Sequence, residues 1–214
     1  LIIVPGAGLA VGPARLLAVV WREWLGLSVR FVPLSGFAIS KPPGDVLILI
    51  SQGLSPNACL ALEQAGRFEH AVLMTSLLRY PNPGRERLRS LERWRAQGGI
   101  VWSLPPGEEA GMLLREQGPA CASLGAMHWA SQLGMASVPG VAEVLRACAD
   151  RAPLHQAALL DTRNLALGGC GLHDELFHGL GWKLLEGLWR QPPRTLDVLQ
   201  LAHGPVQGFW EEPM

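Results

Sequence analysis

Apolar runs punctuate the first half of the chain at regular intervals. "LIIV" (1–4), "SVRFVPL" (28–34), "VLILI" (46–50), "AVLMTS" (71–76) and "IVWSL" (100–104) each read as a strand. Between them lie stretches with helical spacing, at about 9–24, 55–66 and 84–97, the last ending at Gly98 and Gly99. The run 46–50 has no polar position, so it needs cover on both faces. Uniformly apolar strands separated by helices predict an α/β fold: a doubly wound parallel sheet in a three-layer αβα arrangement. Ligands of such sheets bind at the carboxyl ends of the strands.

Residues 105–153 change character. They read as mostly helical through "ACASLGAMHWASQLGM", with a break at Pro139-Gly140, and "RAP" (151–153) marks a boundary. The alternation then restarts. "NLALGG" (164–169) reads as a strand and glycine turn, "LHDELFHGLGWKLLEGLWR" as a helix, "TLDVLQLA" (195–202) as a strand and "HGPVQG" as its terminal loop. The theme of strand, glycine turn and long helix therefore occurs twice, which predicts a duplicated unit. The expected domains are 1–153, with crossover helices, and 154–214, the N-terminal part of a second domain. Two strands are too few for an independent sheet, and the chain opens directly in an apolar run without Met. An upstream segment is expected, and the second domain reads as incomplete, either because a C-terminal part follows or because the protein lacks it.

Composition narrows the function classes. Hydrophobic residues make up 49% and charged residues 17% of the 214, which predicts a folded chain. Lys plus Arg balances Asp plus Glu at 18 each, giving no electrostatic reason to expect nucleic acid or an acidic membrane surface. Arg85, Arg87 and Arg89 are interrupted by Glu86 and Glu92, and this stretch reads as a solvated helix face. Cys59, Cys121, Cys148 and Cys170 form no C-x-x-C pair, so a reduced, cytoplasmic protein is expected. No apolar run approaches the length of a membrane span.

Two loops invite chemistry. "PGAGLAVG" places Gly6, Gly8 and Gly12 after a strand, but the spacing is G-x-G-x-x-x-G and no acidic residue ends the strand at 28–34 to hold a ribose. The glycines also suit a tight strand-to-helix turn. No cofactor is implied. "SQGLSPNA" opens from the apolar run 46–50. Ser55 can cap the following helix, with Pro56 at its first position. The Ser51 hydroxyl, the Gln52 amide and the helix N-terminus together supply neutral donors that suit a phosphate dianion without Lys or Arg. His173, Glu175 and His178 suggest no metal, because the histidines are five apart and point to different helix faces.

The stretch from Ser51 to Asn57 resembles the serine-rich loop of sugar isomerase (SIS) domains, S-Q-(S)-G-x-S-P-[DE], with one residue deleted before Gly53 and Asn57 in place of the acid. "GLHDELFHGLGWKLLEGLW" resembles the family's A-x-E-G-A-L-K-L-K-E helix, and "LAHGPVQG" its E-L-K-H-G-P loop. The order and spacing cover nearly the whole chain. They are closest to the isomerase half of glucosamine-6-phosphate synthase, which has two SIS domains in tandem. The crossover region is similar only loosely, since the family's T-K pair is absent.

The resemblance implies a flavodoxin-like, duplicated fold and an isomerase or aminotransferase/deaminase-type protein acting on a sugar phosphate or amino sugar. Gly6, Gly8, Ser51, Gln52, Gly53 and Ser55 would bind the substrate. Glu186 would move a proton between C1 and C2 of the open-chain sugar, as aldose–ketose interconversion requires of one base. Lys183, three residues before it and on the same helix face, would stabilise the developing negative charge. His203 would open the sugar ring from the partner subunit of a homodimer. Met127, Trp129, Leu133 and Met135 offer apolar surface either to that dimer or to the chain's own core. The shortened loop and missing T-K pair leave an alternative, a non-catalytic SIS module that binds a sugar phosphate as a regulator.

Overall fold

The computed structural model describes residues 1–105, 117–134, 166–170, 175, 177, 179–181, 183–185, 191 and 194–198. Five strands form one parallel sheet: β1 (Ile2–Gly6), β2 (Val29–Pro33), β3 (Val46–Ile50), β4 (His70–Thr75) and β5 (Ile100–Ser103), in the order β2-β1-β3-β4-β5. All five agree with the strands read from the sequence, to within about two residues at their ends. The doubly wound parallel architecture is therefore present, in the flavodoxin-like strand order.

Alternation within the apolar strands divides the core. Ile3, Leu47, Leu49 and Leu73 enter one cluster with Leu62, Leu91 and Trp94. Val4, Ile48, Ile50 and Met74 enter the other with Leu17, Val20, Trp21, Ala122 and Ala126. Because successive side chains point to opposite faces, the uniformly apolar run 46–50 supplies both clusters. The first cluster is covered by α2 (Leu34–Ser40), α3 (Pro56–Leu62) and α4 (Arg85–Ala96). The second is covered by α1 (Val11–Leu25) and α5 (Gln117–Gln132).

Each helix has a local reason. On α1, Leu16, Leu17 and Val20 with Trp21 make a buried stripe, and Gly26 ends the helix in the left-handed conformation at φ 63°. The helix α3 starts where expected, since the Ser55 hydroxyl accepts a hydrogen bond from Ala58 N at 3.3 Å and Pro56 takes the first position. It stops at Leu62, short of the expected 66, and a 3₁₀ turn at Ala65–Arg67 completes the connection. The short helix α2 has no counterpart in the sequence reading. Only Leu34 and Phe37, three apart and buried, give it an apolar side.

On α5, Met127 and Trp129 pack against the chain's own second cluster, whereas Leu133 is half exposed; Met135 lies outside the described residues. The Trp129 ring meets Trp21 and Trp102 edge-on, with centroids 4.9 and 5.0 Å apart. A separate parallel pair, β6 (Ala166–Gly169) with β7 (Arg194–Asp197), occurs where the alternation restarts. Among the described residues no helix is long and apolar enough to cross a membrane.

Candidate functional site

The strand order reverses direction between β1 and β3. Loops leaving these two strands turn to opposite faces, which opens a crevice at their carboxyl ends. A cavity of about 280 Å³ lies there, lined by Ala7, Leu9, Ala10 and Pro13 after β1, by Ile50, Ser51, Gln52, Gly53 and Ser55 after β3, and by Arg87, Pro119 and Ala122. Its volume is near the lower end for small-molecule sites.

The loop after β3 is fixed from beneath by buried hydroxyls. The Thr75 hydroxyl donates to the Gln52 carbonyl at 2.9 Å and accepts from Leu77 N at 3.2 Å. Ser76 N reaches the same carbonyl at 3.0 Å, and the Ser76 hydroxyl donates to the Pro105 carbonyl at 2.9 Å. Both residues are essentially inaccessible to solvent, so these bonds run in a low-dielectric setting where an unpaired group is costly. Leu54 adds a second anchor. Its backbone is left-handed at φ 48°, an unusual state for a bulky residue, while its side chain is buried in the first core cluster. Neither Thr75 nor Ser76 stands out in the sequence, because both continue a strand.

What this scaffold presents upward is unspent hydrogen-bonding capacity. Ser51 is 8% exposed, yet its hydroxyl has no hydrogen-bond partner among the described residues. The Ser55 hydroxyl uses its acceptor side on the helix cap, leaving its proton to donate. The Gln52 amide lies over the first turn of α5. A Cβ at Gly118 would fall 0.9 Å from Gln52 Nε2, so glycine there is what lets the helix approach the loop. Gly53 lines the cavity. Gly6 and Gly8 do not line it. Gly6 is packed under Phe31, whose ring lies 2.8 Å from where a Cβ would be, and Gly8 turns the chain at φ 54°. Their neighbours Ala7 and Leu9 form the wall instead.

Arg85, Arg87 and Arg89 are exposed, in keeping with the reading of 85–89 as a solvated face, and Arg87 has a further position of note. Leu91 and Trp94 follow it by four and seven residues, so the three share one helix side. Leu91 and Trp94 are buried against the sheet. Arg87 extends that inward stripe past the sheet's end and lines the cavity. Arg85 and Arg89, two positions away on either side, fall on the opposite face of the helix. The stripe spacing was the signal in the sequence.

A second cavity of about 260 Å³ adjoins the first and shares Leu9, Pro13 and Pro119 with it; Gly12, Gly179, Leu180 and Lys183 complete its wall with Ala120 and Ser123. Helical residues between 175 and 185 run antiparallel to α1. Glu175 pairs with Arg15 at 2.7 Å, Gly179 meets Gly12, and Lys183 shares the cavity with Leu9. A Cβ on Gly12 would come within 3.2 Å of the Gly179 Cα, so two glycines set this close approach. Arg15 is further held over the Phe31 ring, 4.6 Å from its centroid. The structure thus places Lys183 in a cavity that adjoins the one lined by Ser51, Gln52, Gly53 and Ser55. Glu186 and His203 lie outside the described residues.

No family model matches the sequence, and no curated protein matches it. Solved structures do match its fold. Glucosamine-6-phosphate deaminase from Thermotoga maritima superposes with a TM-score of 0.72 at 15% identity, over 95% of this chain and 63% of that one. Tagatose-6-phosphate ketose/aldose isomerase from Escherichia coli gives 0.72 at 14% identity, over 96% and 59%. The C-terminal domain of glucosamine-fructose-6-phosphate aminotransferase from Francisella tularensis gives 0.62 at 13% identity, over 96% and 61%. The chain spans about three fifths of the length of these structures, and it shares their fold.

Proposed function

We propose that this chain is a sugar-phosphate isomerase or aminotransferase/deaminase-type protein of the tandem SIS kind, with domains at 1–153 and 154–214. The observation that carries the reading is the paired cavity at the switch point of the sheet. One end offers the unspent donors of Ser51, Gln52 and Ser55, and the other the Lys183 ammonium. The names of the fold neighbours, all concerned with sugar phosphates, support the same class.

In this reading the hydroxyls of Ser51 and Ser55 and the amide of Gln52 hold the phosphate. The open-chain sugar extends past Leu9 and Pro119 toward Lys183. Glu186, three residues after Lys183 in the sequence, removes a proton from C2 of an aldose and returns it to C1, or the reverse. Lys183 stabilises the enediolate oxygen that carries charge between the two transfers. His203 opens the ring from the partner of a cytoplasmic homodimer.

The test is proton exchange. Incubated in heavy water with fructose 6-phosphate or glucosamine 6-phosphate, the intact protein should wash deuterium into the sugar at C1 or C2. Glu186→Gln should bind the same sugar without exchanging it. Exchange at the wild-type rate in that variant would remove Glu186 from the mechanism. Binding with no exchange by the wild type would favour a non-catalytic sugar-phosphate-binding regulator, the reading that the shortened loop and the absent T-K pair support.

A further inference from the structure

Ser51, Gln52 and Ser55 offer only neutral donors to the cavity they line. Neutral donors alone would have to hold a dianion that water solvates strongly. Arg87 stands at this cavity with the loop, and three observations single it out. Its position four and seven residues before Leu91 and Trp94 puts it on the inward side of α4, unlike Arg85 and Arg89. Among the described residues its guanidinium has no carboxylate or other hydrogen-bond partner. Ser51, a buried residue whose hydroxyl also has no hydrogen-bond partner among the described residues, lines the same cavity.

We propose that Arg87 is the charged anchor for the phosphate of the substrate, acting beside the neutral donors of Ser51 and Ser55. A guanidinium presents a planar fork that matches two phosphate oxygens, and its charge-assisted bonds are stronger than neutral ones. Arg87 lies on the rim of the cavity and is exposed, so it can swing onto a ligand that Ser51 and Ser55 hold from below. The anchor makes the site selective for a sugar carrying a phosphate dianion over the same sugar without one. It also makes affinity depend on salt, which a cradle of hydroxyls and amides would show far less.

This inference rests on the sugar-phosphate reading, and one calorimetric series separates the two. Whole protein is titrated with fructose 6-phosphate, inorganic phosphate and fructose, at about 0.05 M and about 0.5 M salt. The wild type should bind the first two compounds and not fructose, more weakly at high salt. Arg87→Ala should raise the dissociation constant for fructose 6-phosphate by about 10- to 100-fold and flatten the salt dependence. Arg87→Lys should fall between, since it keeps the charge and loses the fork. Arg85→Ala, on the opposite face of the same turn, should match the wild type. Fructose 6-phosphate bound equally by wild type and Arg87→Ala would overturn the anchor and leave the sugar-phosphate reading intact. Arg87-dependent binding of inorganic phosphate with no affinity for fructose 6-phosphate would keep the anchor and overturn that reading. A wild type that binds neither phosphate compound would overturn both.

Discussion

The two ends of the cleft are built by different means. The end at Ser51 rests on strands. Its loop leaves β3, hangs from the Thr75 hydroxyl and Ser76 amide through one carbonyl, and is weighted by the buried Leu54 side chain. The end at Lys183 rests on a helix. Its position depends on the register of one helix against α1, set by the Arg15–Glu175 pair and the Gly12–Gly179 contact. A loop pinned by buried hydrogen bonds is specified within its own sheet. A helix docked through two glycines is specified by sequence far away in the chain. The difference suits the proposed chemistry, in which one end binds the phosphate and the other handles the reacting carbons.

Substitutions at each end should therefore fail differently. The largest effect is expected for Lys183→Ala, which removes the cation at the reacting end. Turnover of fructose 6-phosphate should fall by about 2.7–4 kcal/mol, a hundredfold or more in kcat, while calorimetric affinity changes little. An equal loss in affinity would mean that both ends bind and the division is false. Ser51→Ala should do the reverse. It should cost about 1.5–3 kcal/mol of sugar-phosphate affinity and leave the melting temperature unchanged, since the hydroxyl has no partner among the described residues.

Gly179→Leu tests the helix register. The added side chain meets the α1 backbone at Gly12, and overpacking of this kind costs about 1–3 kcal/mol. Kinetics should show lost turnover with phosphate binding retained; loss of both would tie the loop to that helix. The smallest effect is expected for Ser55→Ala. It removes a helix cap worth about 1 kcal/mol, read as a lower denaturation midpoint, along with part of the sugar-phosphate affinity. Lost affinity without lost stability would put the hydroxyl to work on the ligand alone.

The sheet was legible because its strands are short, apolar and separated by helices with clear periodicity. That is the pattern that burial on two faces imposes. The short helix α2 was not, since Leu34 and Phe37 alone cannot distinguish a single-sided helix from a loop. At the site, Ser51, Gln52 and Gly53 could be found from the abrupt change after Ile50. Arg87 could not be separated from its neighbours by charge alone. Its significance comes from the topology, which brings the start of α4 to the switch point. Thr75 and Ser76 were hidden for another reason: hydrogen-bonding residues at a strand end look the same whether they meet water or hold up a neighbouring loop.

The edge-on contacts among Trp21, Trp129 and Trp102 have an optical consequence. Three indoles at such short separations exchange excitation energy, so light absorbed by any of them is emitted from a shared pool with reduced polarisation. Their mutual orientation also imprints a chiral signal on the near-ultraviolet band. The cluster joins α1, β5 and α5, and α5 also carries Pro119 and Ala122 to the cleft wall. The chain thus contains its own spectroscopic gauge: a shift of α5 as a sugar enters would alter colour and polarisation without any added dye.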